Sequence, residues 1–182
     1  MAFLEGSGRL TVHATVTHTG GWDWNSRWLM TTKYLVRLRE LYKGSISSNT
    51  DLWAVVNSFM IECAHMWDAF KNDPQLTEVG KAEVQAAMDD SPMLQLCRDY
   101  ANTYKHLKRD APVAIVAEIW EDGDTEDGNF VTIGYGPVGN PRASMIDALD
   151  MAEAAYAAWK DFMTLHGIPE QTQLIAPLLG TP

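Results

Sequence analysis

Cysteine is scarce in this chain: two in 182 residues, Cys63 and Cys97, with no C-x-x-C spacing to build a zinc knuckle or a redox pair. Each sits inside an apolar helical pattern, so both are expected as buried free thiols, the usage of a reducing compartment. Long hydrophobic runs are missing too. No stretch approaches the roughly 20 apolar residues needed to cross a bilayer, and Met1-Ala2-Phe3-Leu4-Glu5-Gly6 carries no basic region followed by an apolar one. A cytoplasmic setting without a membrane partner is the expectation. Positive charge is in deficit: 14 Lys and Arg against 24 Asp and Glu give a formal charge of -10, which repels a phosphate backbone at long range. DNA is not an expected partner. The acids are spread over several segments, so a mimic of DNA charge is a poor reading as well. Neither an internal repeat nor a low-complexity tract is found.

What is there is the composition of a folding, soluble chain, with 46% hydrophobic and 21% charged residues. Its length suits one domain over residues 1–182. Leu10 to His18 alternates small apolar residues with Thr and His and predicts a strand within an N-terminal segment 1–20. After Gly20-Gly21, Asn25 or Ser26 can cap a helix to about Tyr42, with Trp28, Leu35, Leu38 and Tyr42 inward. A second helix is predicted from Asn49 or Thr50 to about Phe70, on the spacing of Trp53, Val56, Met60, Cys63, Trp67 and Phe70. A third spans Gln75 to Met88, weakened by Gly80. Ser91-Pro92 is a cap followed by proline at the first helical position, opening a fourth helix that ends near Arg109.

The period then shifts. Val113 to Trp120 and Phe130 to Tyr135 read as two strands around a polar turn, a β-hairpin within 112–136. Asn140-Pro141 opens a long C-terminal helix over 140–166, its seam formed by Met145, Leu149, Ala152, Tyr156, Trp159 and Met163, with a tail over 167–182. The expected fold is mainly α: about five helices with a hairpin between the last two and the N-terminal strand free to join it, an α+β arrangement.

Four segments carry candidate chemistry. On the fourth helix, at roughly 100° per residue, Asp99 and His106 lie within about 20° of one another and Asn102 about 40° from His106. An acid, an amide and an imidazole then share one face, suited to acid/base work, with Arg98 or Lys105 beside them to hold an anion. On the second helix, Glu62-Cys63-Ala64-His65 has the E-x-x-H spacing of carboxylate-bridged metal bundles, in a single copy. Asp99 or His106 from a facing helix could complete a mononuclear site with Glu62 and His65. Trp22 and Trp24, beside Arg27 and Trp28, form a candidate interface patch, because indoles combine apolar area with a polar handle.

Two further patterns point to turns instead of ligands. Glu121 to Asn129 has the acids of a calcium loop but Asp127 where glycine is needed and Ile133 where the bidentate glutamate belongs, so a solvated hairpin loop is expected. Gly134-Tyr135-Gly136-Pro137-Val138-Gly139 satisfies G-x-G-x-x-G, yet no βαβ unit surrounds it, and it reads as a strand-to-helix turn.

Arg98 followed by His106 on a late helix of a bundle resembles the arrangement in HEPN domains, helical modules that include metal-independent ribonucleases. The resemblance implies His106 as the acid/base residue, Arg98 as the phosphate-binding partner, and dimerisation to bring two such helices together. Since no catalytic constellation is complete, the leading expectation is an interaction or regulatory module, with a protein partner or a second copy as its partner and no cofactor. The alternatives are a HEPN-like ribonuclease, for which alone RNA is a partner, and a small metal-dependent bundle enzyme using Glu62, His65 and His106.

Overall fold

The helical periods are realised in a computed structural model that describes residues 23–44, 49–105, 115–125, 128–137, 139–140 and 143–170. Along the chain run α1 (Trp24–Tyr42), α2 (Asn49–Asn72), α3 (Lys81–Asp90), α4 (Pro92–Lys105), β1 (Ile115–Thr125), β2 (Gly128–Pro137), β3 (Ser144–Asp147) and α5 (Ala148–Leu165). The fold is mainly helical with a three-stranded antiparallel sheet in the order β1-β2-β3, an α+β arrangement. The strand expected at Leu10–His18 lies outside the described residues, as do most of the tail and the expected end of the fourth helix.

Local chemistry sets the helix starts, and it corrects three expected boundaries. Asp23, two residues before the expected cap, accepts from the Asn25 backbone N–H and the Ser26 hydroxyl and so begins α1. The buried Asp73 carboxylate adds a second anchor there, accepting the Trp24 N–H at 2.9 Å and the Gln75 N–H at 2.8 Å. It thereby ties the end of α2 to the start of α1 and complements the α1 dipole. Gly80 is the N-cap of α3 and not an interior residue: Glu83 reaches back to its N–H at 2.8 Å, while residues 75–79 form turns. Ser91 and Pro92 open α4 as expected, the Ser91 hydroxyl accepting the Leu94 N–H at 3.3 Å.

The third correction concerns α5. Asn140 does not open it; the chain first forms β3, and only then does Asp147 cap the helix by accepting the Leu149 and Asp150 N–H groups. Met145 accordingly stands exposed on the strand and is no part of the helix seam. The glycine-rich segment is a strand-to-strand turn: Asn140 N–H bonds Pro137 O at 2.8 Å, and Gly139 sits at φ +98°. Any Cβ at Gly136 would collide with the Asn140 carbonyl. The acidic stretch is also more regular than a loop, since β1 and β2 stay paired as far as Thr125 and Gly128, with a bulge at Trp120.

The core lies between the helices and one sheet face. Trp28, Leu35 and Leu38 of α1, Val56, Met60, Cys63 and Phe70 of α2, and Ala152, Trp159 and Met163 of α5 are buried as their spacing required. Ile119, Ile133 and Ile146 are direct cross-strand neighbours and pack this face against the core. Trp53 departs from the expected seam and is 39% exposed.

Tyr42 joins helices to sheet. Its hydroxyl donates to Asp147 Oδ2 at 2.9 Å and accepts the N–H groups of Val131 and Leu149 at 3.0 and 3.2 Å, while Asn129 Nδ2 donates to Leu41 O at 2.7 Å. Removing the hydroxyl takes this acceptor from the Val131 N–H and this donor from Asp147 Oδ2, while the Leu149 N–H keeps its bond to Asp147 Oδ1, so Tyr42→Phe is expected to lose about 1–3 kcal/mol in urea unfolding. Burial and then Asp147 push the Tyr42 phenol above its ordinary value. The unfolded chain therefore loses this proton first, and the stability it contributes is present below about pH 10 and lost as pH rises beyond it. Denaturation at a series of alkaline pH values should show a shallower decline for Tyr42→Phe; an unchanged slope would remove Tyr42 from this account.

Candidate functional site

Two polar regions hold the candidate residues that lie within the described part of the chain. The first follows the seam between α1 and α2. Arg27 Nη1 donates to Glu62 Oε2 at 2.8 Å, with the two side chains 30% and 17% exposed, so the pair is partly shielded from water. His65, one turn beyond Glu62, is half-buried. Beside them Trp28 stacks on Tyr156 with ring centroids 4.3 Å apart, and the Tyr156 hydroxyl meets Thr32 Oγ1 at 3.1 Å. Burial raises the Tyr156 phenol above its ordinary value despite that bond. The Trp28 indole N–H is buried and has no hydrogen-bond partner among the described residues.

The second region is on α4. Arg98 lies between two acids, Nη1 3.7 Å from Asp89 Oδ1 and Nε 3.6 Å from Asp99 Oδ1. These separations are charge contacts longer than hydrogen bonds. Asn102 is half-buried on the same helix, and Thr103 Oγ1 donates to the Asp99 carbonyl at 2.8 Å. His106 lies outside the described residues, so the face shared by Asp99, Asn102 and His106 is described only in its first two members.

Helical geometry separates the two regions. Tyr100 of α4 donates its hydroxyl to Asn57 Oδ1 of α2. Glu62 follows Asn57 by five positions, about 140° around the helix, and is turned toward α1 and Arg27. The acid of the E-x-x-H motif is thus neutralised from α1, away from the α4 contact that was to complete a metal site. Among the described residues, no group of three or more His, Cys, Asp and Glu side chains is placed to hold a metal ion.

The tryptophan patch needs correcting. Trp24 is 3% exposed, its ring stacked on Phe70 at 6.2 Å between centroids, so it belongs to the core and presents nothing to a partner. The reason is the cap: with α1 starting at Trp24 and Asp73 holding its N–H, the side chain falls on the inward face. Trp22 lies outside the described residues. Sequence reasoning missed the partners Asp89, Asn57 and Arg27. Only Arg27 left a trace, a lone cation among tryptophans; the Glu62 contact spans 35 positions.

No helix among the described residues is long and apolar enough to cross a membrane. Compared with family models, curated proteins and solved structures, the chain matches none of them.

As a core residue, Trp24 is expected to cost about 3–5 kcal/mol when truncated to alanine, measured by thermal or urea unfolding; an unchanged midpoint would return it to the surface. For the seam, a double-mutant cycle on Arg27→Met and Glu62→Gln should give a coupling of about 1 kcal/mol, the scale of a partly screened pair. Strict additivity would show that the contact contributes nothing.

Proposed function

We propose that this chain is an interaction module without catalysis of its own, that it works in a reducing, cytoplasmic setting, and that its partner is a second copy meeting it through the solvent-facing end of α2. The observation that carries this reading is the internal engagement of the cation and the acid required by the catalytic alternatives. Arg98 lies against Asp89 and Asp99, so a phosphate arriving there would meet two carboxylates with the guanidinium. Glu62 is held by Arg27. The free thiols of Cys63 and Cys97 support the setting. Trp53 supports the surface: it is 39% exposed near the start of α2, next to exposed Ala54. An indole in such a place supplies large contact area at little conformational cost.

Sedimentation equilibrium over a range of salt tests the proposal. Two copies that each carry a formal charge of -10 repel one another, so added salt should tighten the dimer by screening. Trp53→Ser should shift the equilibrium to monomer with the unfolding midpoint preserved. A monomer at every concentration and salt would reject self-association, and dimerisation untouched by Trp53→Ser would reject this surface. Incubation with single-stranded RNA provides the other arm. Wild type, Arg98→Ala and His106→Ala should behave alike; cleavage by the wild type that both folded variants lose would establish the HEPN-like nuclease instead.

A further inference from the structure

Positive charge is scarce in this chain and unevenly placed. Residues 24–43, α1 and its C-terminal cap, carry Arg27, Lys33, Arg37, Arg39 and Lys43, five of the 14 Lys and Arg, against Glu40 alone of the 24 Asp and Glu. Two of the five are engaged inside the fold, Arg27 with Glu62 and Arg39 with Glu153. The other three, Lys33, Arg37 and Lys43, are exposed. Arg37 holds the exposed Glu40 at 2.9 Å, and among the described residues neither Lys33 nor Lys43 is paired with an acid. At roughly 100° per residue the three cations fall within about 120° of one another, spread over about 15 Å of helix axis. An acidic chain thus keeps a basic stripe on the solvent side of its first helix.

We infer that this stripe binds an acidic segment of a partner protein, held extended along α1. Charge complementarity selects the class, because carboxylates are attracted here and repelled by the acidic remainder of the surface, which fixes where such a segment settles. The spacing fits as well. An extended chain advances about 3.3 Å per residue, so acids at alternate positions stand about 6.6 Å apart on one side, close to the roughly 6 Å of rise between Lys33 and Arg37. About five extended residues reach from Lys33 to Lys43. A nucleic acid fits less well: its phosphates continue past three cations onto acidic surface, where repulsion opposes them, whereas a short acidic segment ends with the stripe. This partner is additional to the second copy that meets α2, so the two surfaces can be tested apart.

The test is fluorescence anisotropy of a labelled peptide of about six residues alternating Glu and Ser, titrated with the full chain. The expected result is saturable binding that weakens about tenfold between about 20 and about 300 mM salt, and no binding of the same peptide with Gln in place of Glu. Lys33→Glu combined with Arg37→Glu should weaken binding at least about tenfold with the unfolding midpoint preserved. Glu40→Gln releases Arg37 and should tighten it about threefold, a gain that a damaged fold cannot imitate. No saturable binding of the glutamate peptide at low salt would overturn the inference, as would undiminished affinity in the doubly reversed variant. Single-stranded RNA bound more tightly than the peptide, and lost in that same variant, would overturn it in favour of a nucleic-acid face.

Discussion

The joint between bundle and sheet runs through the phenolic oxygen of Tyr42, which gives a proton to Asp147 and takes two backbone N–H groups, from Val131 and Leu149. Its position at the last turn of α1 brings the end of that helix onto β2 and onto the capping residue of α5. The cap, the strand that precedes it and the neighbouring strand consequently share one hydrogen-bond centre. Because Asp147 both caps α5 and receives Tyr42, the placement of Trp159 and Tyr156 on α5 follows from the same centre. Trp159 then reaches α2, its indole N–H donating to the Cys63 carbonyl at 3.0 Å.

A second clamp holds α1 to α5 from outside. Arg39 donates to both carboxylate oxygens of Glu153, at 2.5 and 2.6 Å, and the hydrogen bond raises the guanidinium above its ordinary value against the opposing effect of burial. Such a fork fixes orientation as well as distance. Beyond the two clamps, toward the start of α1, Trp28 stacks on Tyr156, so the α1–α5 contact has its polar bonds at the C-terminal end of α1 and aromatic area further along.

The sequence carried the helices because burial imposes a period: Val56, Met60, Cys63 and Phe70 could be placed on one face before any coordinates. It failed where two local signals competed. Pro141 resembled a helix start, yet Ser144–Asp147 pairs with β2, and pairing outweighed the proline. Gly80 resembled a weak interior residue, whereas its missing side chain makes room for the Glu83 carboxylate. At the candidate sites the residue types were legible and their partners were not. Nothing in the spacing of Asp99, Asn102 and His106 reveals that Asp89 of the preceding helix also reaches Arg98. Trp24 shows the same limit from the other side, since one turn of helix phase decides between surface and core.

The Tyr42–Asp147 bond closes a loop of 105 positions. In equilibrium terms such length matters little, because closure entropy grows only as the logarithm of loop size. In kinetic terms it matters greatly. Helices α1 to α4 can each find neighbours close by in sequence, but the Tyr42 hydroxyl at the last turn of α1 meets its partners only once β2 and α5 are made. Closing this joint is therefore a long-range encounter, and assembly of this chain should be slower than that of a purely helical bundle of equal length.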